Sequence, residues 1–245
     1  MPRAASRAIG KKSCSARRAS EAAAPRTIAN MTAHRDIIVA QLRESCRVKQ
    51  RFSGELLASI EKFAARSAQA LRSGHKLVFF GNGGSAADAQ HLAAELVVRL
   101  ERERIALPAL ALTTNTSVLT AAGNDFGFER IFARQVDAHV GSGDVLIALS
   151  TSGSSANVLR GIAAGRRRKA FTVALTGETG GKLANKVDLL LNVPSRNAQR
   201  IQEAHITIGH IVCFLIEEIC FGSKRSGSRA RRKRGRDLSL RTVTD

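Results

Sequence analysis

Four side chains in two separate segments have the types and spacing needed for acid–base or metal chemistry. His91 and Glu95 are four residues apart, so they lie on one face of a helix. Gln202 and His210 are eight residues apart in a later helical segment, where they share a broad face about two turns apart. Nitrogen and oxygen donors of this kind could hold a zinc ion, or they could serve as general acid and base. Spacing alone leaves both interpretations open.

Two loops rich in small polar residues could hold an anion. Residues Gly81–Ser85, the glycine loop, follow an apolar run and open a helix, and residues Ser150–Ser155, the serine-rich turn, are placed in the same way. Backbone N–H groups at a helix start favour a phosphate. A tight turn or a serine cap would explain each loop without a ligand. One hydroxyl suffices for a cap, so the excess of hydroxyls favours phosphate.

The glycine loop matches neither the dinucleotide-binding fingerprint nor the ending of a nucleotide-binding P-loop. A third polar segment, Gly123–Phe128, places Asn124 and Asp125 between glycines. Such residues usually form a turn, and their functional interpretation is hydrogen bonding to sugar hydroxyls. Two further histidines, His139 and His205, are interpreted as core residues without a ligand.

The elements that must position these residues alternate along the chain. Apolar runs alternate with helical segments, which predicts an α/β fold with a parallel sheet. The runs are Lys76–Phe80, Ala109–Leu112, Val145–Leu149, Phe171–Leu175 and Leu189–Val193. One or two amphipathic helices precede them between Ile37 and Leu71, interrupted at Gly54, and a long helix from about Ala198 to Ile219 closes the domain. Right-handed crossovers then bring the loops after the strands to one edge of the sheet.

The net charge of +19 is concentrated at the two ends of the chain. We expect residues 1–33 to be a basic disordered extension, residues 34–221 to form one domain, and residues 222–245 to be a basic disordered tail. The ends could bind nucleic acid by counterion release. Solvated tails are the simpler interpretation, and Met31 could be the true start.

The cysteines and the hydropathy pattern indicate a cellular compartment. Four cysteines form no C-x-x-C pair, which favours reduced thiols in the cytoplasm. No apolar run is expected to reach transmembrane length, and the N-terminus lacks the apolar stretch of a secretory signal. We therefore expect a cytoplasmic protein with no membrane contact.

Taken together, these motifs resemble the sugar isomerase (SIS) family, and within it the phosphoheptose isomerases. The matching segments are GNGGSAADAQHLAAEL, LTAAGNDFGFERIFARQV, GDVLIALSTSGSSANV, ALTGETGGKLA and RIQEAHITIGHIVCFLIE. They run in order from about residue 34 to residue 220. The resemblance implies a flavodoxin-like three-layer sandwich with a five-stranded parallel sheet and an N-terminal helical segment. It also implies a homotetramer with active sites at subunit interfaces.

The resemblance further implies roles for individual residues. The acid and base would be Glu95 and His210, and the ligands of one zinc ion per subunit would be His91, Glu95, Gln202 and His210. Substrate contacts would come from Asn82, Gly83, Gly84, Asn124, Asp125, Ser150, Thr151, Ser152, Ser155 and Gln202, with the serine-rich turn holding the phosphate.

The activity so implied is aldose–ketose isomerisation of a phosphorylated seven-carbon sugar, sedoheptulose 7-phosphate. The enediolate intermediate needs a cation or a proton donor to stabilise it. Glu95 would act as the base and His210 as the proton carrier, although a glutamate bound to zinc is a weaker base. Two alternatives stay open: a non-catalytic SIS protein that binds the bacterial replication initiator, and an SIS enzyme acting on another sugar phosphate.

Overall fold

The computed structural model describes residues 24–222, with side chains described from residue 34 onward. Most of the predicted basic extension and tail therefore lies outside the described residues. The chain divides into two compact units, residues 1–47 and residues 48–245. Helix α1 (Ala24–Gln50) is what the structure describes of the first unit and continues into the second. The helix includes residues 24–33, which belong to the predicted extension.

After the end of α1, the second unit continues with helix α2 (Gly54–Arg72). Its start is set by Ser53, whose Oγ accepts a hydrogen bond from the Leu56 backbone N–H at 3.2 Å, so that one otherwise unpaired N–H of the first turn is satisfied. The interruption predicted at Gly54 is thus confirmed. Ile60 and Phe63 are among the residues on its buried face.

A five-stranded parallel sheet forms the centre of the second unit. Its strands are β1 (Leu77–Gly81), β2 (Ala109–Ala111), β3 (Val145–Ser150), β4 (Phe171–Thr176) and β5 (Leu189–Asn192). Their spatial order is β2-β1-β3-β4-β5, which is the flavodoxin-like order. All five predicted strands and the fold class are confirmed.

Helices cover both faces of the sheet. The remaining helices are α3 (Gly84–Val97), α4 (Thr116–Phe126), α5 (Ile131–His139), α6 (Ala156–Arg167) and α7 (Ala198–Phe221), with short 3-10 turns at Phe128–Arg130 and Gly181–Leu183. Leu77, Phe79 and Ile147 pack with α2, α3 and α7 in one apolar layer. Val78, Phe80 and Leu146 pack with α4, α5 and α6 in the other. Because successive strand residues face opposite layers, strands buried on both sides are apolar at most positions.

Helix α7 corrects one expectation from the sequence. Its 24 residues include a window with a mean hydropathy of 1.6, so by length and composition it could cross a membrane, although no run of transmembrane length was predicted. However, 44% of that window is buried inside the protein, where Ile201, Ile208 and Ile216 belong to the apolar layer shared with α2 and α3. A buried core helix explains the same composition.

The two histidines predicted to be core residues differ in their surroundings. His205 on α7 is fully buried, and its Nε2 lies 3.2 Å from the Thr176 carbonyl oxygen. Burial lowers the pKa of His205 to about 4, and the hydrogen bond to Thr176 only partly opposes this. His139, at the end of α5, is exposed, so the prediction for His139 is wrong.

The neutral state of His205 makes stability depend on pH. Between about pH 6.5 and pH 4 the unfolded chain protonates this imidazole while the folded chain does not, so stability falls as the pH is lowered. We expect this residue to remove about 2 kcal/mol of unfolding free energy between pH 7 and pH 4.5. His205→Leu should lack this part of the acid loss in urea titrations at fixed protein concentration, whereas the exposed control His139→Leu should keep it. Equal acid losses in both variants would contradict the assignment.

Candidate active site

The glycine loop and the serine-rich turn lie side by side at the carboxyl edge of the sheet. Strands β1 and β3 are neighbours, with Gly81 paired to Leu149 at their ends. The chain passes from β1 to β2 on one side of this pair and from β3 to β4 on the other side. The two connections therefore run in opposite directions from the ends of β1 and β3. Open α/β sheets bind ligands at such a switch point. The proximity predicted for the two loops is confirmed.

An amide pair connects the two loops. Asn82 in the glycine loop and Asn157 at the start of α6 exchange two hydrogen bonds, with Nδ2–Oδ1 distances of 2.9 and 2.8 Å. The side chain of Asn82, predicted to contact substrate, is therefore held by the protein itself. Asn157 was missed from the sequence, and its position directly after the serine-rich turn was the only available signal.

The serine-rich turn is shaped by its own hydroxyls. Ser150 Oγ accepts the Gly153 N–H at 3.2 Å, and Ser152 Oγ accepts the Ser154 N–H at 3.3 Å. Each of these hydroxyls keeps its proton for donation to an anion. Ser155 begins α6 without a side-chain capping bond. The hydroxyls of Thr151 and Ser155 make no hydrogen bond to any residue from 34 to 222. They are therefore free to bind a ligand.

Gly153 is required in this turn for two reasons. Its φ is +60°, which disfavours other residues. A Cβ at this position would also overlap the Gly180 carbonyl oxygen. The serine-rich turn therefore packs backbone to backbone against the turn that follows β4.

The predicted acid–base residues meet between α3 and α7. The Nε2 atoms of His91 and His210 are 2.8 Å apart, and His91 Nε2 is 3.2 Å from Glu95 Oε1. One donor atom from each residue lies within 4.8 Å of the other two. Two imidazole nitrogens and a carboxylate oxygen are donors that suit a transition-metal cation such as zinc. This cluster, the His–Glu–His cluster, can hold a metal ion or exchange protons.

Two further residues lie along the same helices. Gln202 packs against the start of α3, since a Cβ on Gly84 would lie 2.7 Å from Gln202 Nε2. Asp88, one turn before His91, was missed from the sequence. Its Oδ2 is buried and has no hydrogen-bond partner among the described residues, and burial raises its pKa although nearby His91 opposes the shift. The three-residue spacing from His91 was the signal that could have found it.

The structure does not bring Asn124 and Asp125 to the His–Glu–His cluster of the same chain. Both belong to the last turns of α4, so the turn predicted for this segment begins only at Gly127. They are exposed and bonded to each other, with Asn124 Nδ2 2.9 Å from Asp125 Oδ1. Asp125 lines a cleft of about 290 Å³ between α4 and α5.

A smaller cavity of about 170 Å³ adjoins the glycine loop. Asn82, Gly83, Phe128, Ile131 and Phe132 are among the residues that line it. We regard this cavity, and not the larger cleft beside Asp125, as part of the candidate site. Of these two, the smaller cavity lies at the carboxyl edge of β1, beside the helix that carries His91 and Glu95.

Comparison with known proteins identifies the family of this chain. The family model described as SIS domain matches residues 42–177, more than half of the chain. The chain belongs to the SIS domain family. Within the SIS family, the phosphoheptose isomerase of Geobacter sp. (strain M21) is 52% identical over 184 residues, 75% of this chain and 96% of that protein. The phosphoheptose isomerase of Aquifex aeolicus is 54% identical over 177 residues, 72% of this chain and 93% of that protein.

A solved SIS structure has the same architecture. The phosphoheptose isomerase GmhA from Neisseria gonorrhoeae superposes with a TM-score of 0.71 at 44% identity, over 75% of this chain and 98% of that chain. The chain thus covers nearly the whole length of these relatives. The family model's match includes both loops and α3, whereas α7 with His210 lies beyond it.

Removing one donor of the His–Glu–His cluster should abolish tight metal binding. Loss of groups that merely support metal ligands costs 10–100-fold in affinity, so we expect His210→Ala to weaken Zn²⁺ binding by about 100-fold or more. Competition with a coloured chelator measures this. His139→Ala, an exposed histidine outside the cluster, is the control. Equal zinc affinity of the two variants would exclude the cluster as the metal site.

Proposed function

We propose that the chain is an aldose–ketose isomerase that converts sedoheptulose 7-phosphate to D-glycero-D-manno-heptose 7-phosphate. This product is a precursor of activated heptose for lipopolysaccharide and other surface glycans. The observation that carries the proposal is the convergence of Glu95, His91 and His210 from two helices. A sugar isomerase needs a carboxylate and an imidazole that reach neighbouring carbons and oxygens of one substrate. The phosphoheptose isomerase relatives support the choice of substrate.

The chemistry requires two kinds of proton transfer. Glu95 removes a proton from C1 of the ketose, which leaves an enediolate across C1 and C2. The carboxyl group then returns a proton to C2. His210 carries the proton of the C1 oxygen to the C2 oxygen. The product is the aldose, and no atom is gained or lost.

We infer that zinc is the resident cofactor of the His–Glu–His cluster, with Gln202 as the fourth ligand. Two imidazoles, a carboxylate and an amide make up a nitrogen and oxygen donor set of the kind that zinc accepts. A bound zinc would supply positive charge for the enediolate oxygens. His91 then orients the Glu95 carboxylate through the contact of 3.2 Å between them.

The proposed substrate would extend from the two loops to the His–Glu–His cluster. We assign the phosphate to Ser150, Thr151, Ser152 and Ser155, and sugar contacts to Asn82, Gly83, Gly84 and Gln202, with Asn124 and Asp125 contributing from their exposed position on α4. His91 lies seven residues after Gly84, which is about 10 Å along the axis of α3. A substrate that contacts both Gly84 and the His–Glu–His cluster must therefore be extended, as a heptose 7-phosphate is.

We further propose a homotetramer with active sites at subunit interfaces. Helix α7 exposes Ile211, Phe214 and Ile219, of which Phe214 is 39% exposed in the single chain. Exposed apolar groups gathered on one element are typical of protein interfaces. Ile211 directly follows His210 in sequence, so a subunit bound on this face would lie beside the His–Glu–His cluster.

A cytoplasmic location belongs to the same proposal. The described cysteines Cys46, Cys213 and Cys220 are free thiols, as expected in a reducing compartment. The alternative of a non-catalytic relative that binds the replication initiator is not favoured, because such a protein has no need for the convergent donors of the His–Glu–His cluster. Nucleic-acid binding through the basic ends concerns residues outside the described part of the chain.

The direct test is incubation of the purified protein with sedoheptulose 7-phosphate. We expect aldose heptose 7-phosphate to form, and its formation to stop when a chelator removes the metal and to resume when Zn²⁺ is added back. Product analysis by NMR or mass spectrometry after derivatisation distinguishes aldose from ketose. No turnover of this sugar with the metal restored would refute the proposal.

Glu95→Gln should abolish the proton transfer while leaving the phosphate site intact. We expect kcat to fall by about 10²–10⁴-fold, the usual contribution of a general base. Binding of sedoheptulose 7-phosphate, measured by calorimetry, should stay within a few-fold of the parent because the serine-rich turn is unchanged. Glu103→Gln, an exposed glutamate in the loop after α3, is the control. Retained turnover in Glu95→Gln would remove Glu95 from the mechanism.

Phe214→Asp tests the interface. A carboxylate cannot be buried unpaired at an apolar contact without a large desolvation penalty, so we expect light scattering to report fewer than four chains per particle and activity to fall with assembly. Ala163→Asp adds the same charge to the exposed side of α6, on the opposite layer, and should leave the tetramer intact. An unchanged mass for Phe214→Asp would place the interface elsewhere.

A further inference from the structure

A buried ion pair lies beside the candidate site and belongs to none of its motifs. Arg104, in the loop after α3, and Glu217, on α7, each have a side chain that is 1% exposed, and Arg104 Nε is 3.1 Å from Glu217 Oε1. Arginine and glutamate are almost never fully buried unless they are paired. Burial of both partners distinguishes this pair from the exposed ion pairs of the described residues.

The guanidinium of Arg104 caps the end of α3. Its Nη1 donates to the Leu96 carbonyl at 2.8 Å, and its Nη2 donates to the Glu95 carbonyl at 2.8 Å. The last carbonyls of a helix have no N–H partner within the helix, and they attract cations. Arg104 thus holds the backbone of Glu95 itself, the residue assigned as the base.

The carboxylate of Glu217 holds the chain that follows α3. It accepts the backbone N–H groups of Leu100, Glu101 and Arg102 at 3.0 to 3.1 Å. Burial by itself would raise the pKa of Glu217, but these three donors and Arg104 outweigh it, so the pKa is lowered. The group stays ionised and fully hydrogen-bonded in the folded protein.

The pair connects the two helices that carry the His–Glu–His cluster. Glu217 is seven residues after His210, two turns further along the same side of α7. Earlier along the two helices, Gly84 faces Gln202, and the Leu92 side chain occupies the space where Gly209 has no Cβ. The contacts advance in the same direction on both helices, so α3 and α7 run parallel. The Arg104–Glu217 pair closes the far end of this contact.

We propose that Arg104 and Glu217 are positioning residues that fix how far α3 slides along α7, and thereby the distance from the Glu95 carboxylate to the His210 imidazole. This inference rests on the proposed function. Apolar packing such as that of Leu92 against α7 tolerates small sliding movements, whereas hydrogen bonds of fixed direction do not. A buried ion pair adds little net stability over apolar packing of the same shape, so position is its main contribution.

Two variants test the inference. Glu217→Gln removes the charge but keeps the shape. The double variant Arg104→Met/Glu217→Leu replaces both partners by apolar groups, a change that can preserve stability. We expect kcat to fall about 10–100-fold in both variants with KM nearly unchanged, because misplacing a catalytic group by about 1 Å costs that much. Zinc affinity should also fall, by about 10-fold, as it does when the support of metal ligands is removed.

Asp144→Asn is the matched control. Asp144 is also a buried carboxylate, 4% exposed, that accepts two backbone N–H groups and pairs with Lys76 at 2.7 Å. It precedes β3, at the sheet edge opposite the candidate site. We expect the thermal stability of Asp144→Asn to fall as much as that of Glu217→Gln. Its kcat and its zinc affinity should stay at the values of the parent protein.

The outcomes separate the inference from the function on which it rests. A double variant with parental kcat and zinc affinity overturns the positioning role while the isomerase stands. The positioning role is also overturned if kcat and zinc affinity fall as much in Asp144→Asn as in Glu217→Gln. Both quantities would then follow the loss of stability alone. A parent protein that does not isomerise the sugar refutes the function. The change in zinc affinity from the parent to the two variants then still tests the positioning role.

Discussion

Helices α3 and α7 lie against each other in the layer on one face of the sheet, and the site depends on the closeness of this contact. Gly209 allows Leu92 to approach the backbone of α7, and the imidazoles of His91 and His210 meet as a result, although 119 residues separate them in sequence. A larger residue at position 209 would push the helices apart. The donors of the His–Glu–His cluster would then no longer reach one ion or one substrate.

The sheet decides where the remaining parts of the site can lie. Its strands are apolar because both faces are covered, so polar groups are confined to the edges. At the carboxyl edge of β1 and β3, two loops meet that would otherwise be unrelated turns. The Asn82–Asn157 amide pair holds them together. The apolar sheet thus holds two polar loops beside the helix pair that carries the His–Glu–His cluster.

Two buried carboxylates, Glu217 and Asp144, hold backbone N–H groups in place. Glu217 holds the chain after α3, and Asp144 holds the backbone N–H groups of Lys76 and Gly141 at the opposite edge of the sheet. In both carboxylates the hydrogen bonds outweigh the effect of burial, and the pKa is lowered. Asp88 differs, since burial dominates and raises its pKa. Its buried Oδ2 has no hydrogen-bond partner among the described residues, and the residue lies one turn before His91 of the His–Glu–His cluster.

The sequence by itself determined the elements and the chemistry available to them. Continuous apolar runs marked all five strands, and the spacing of His91 and Glu95 placed both on one helix face, because these patterns are local. Tertiary structure alone decided what depends on pairs distant in sequence: the meeting of His91 with His210, the amide pair of Asn82 with Asn157, and the burial of Arg104 against Glu217. It also extended α4 through Asn124 and Asp125, where glycines predicted a turn, and exposed His139. No local pattern reports which faces of two helices will touch, since that is settled by how the whole core packs.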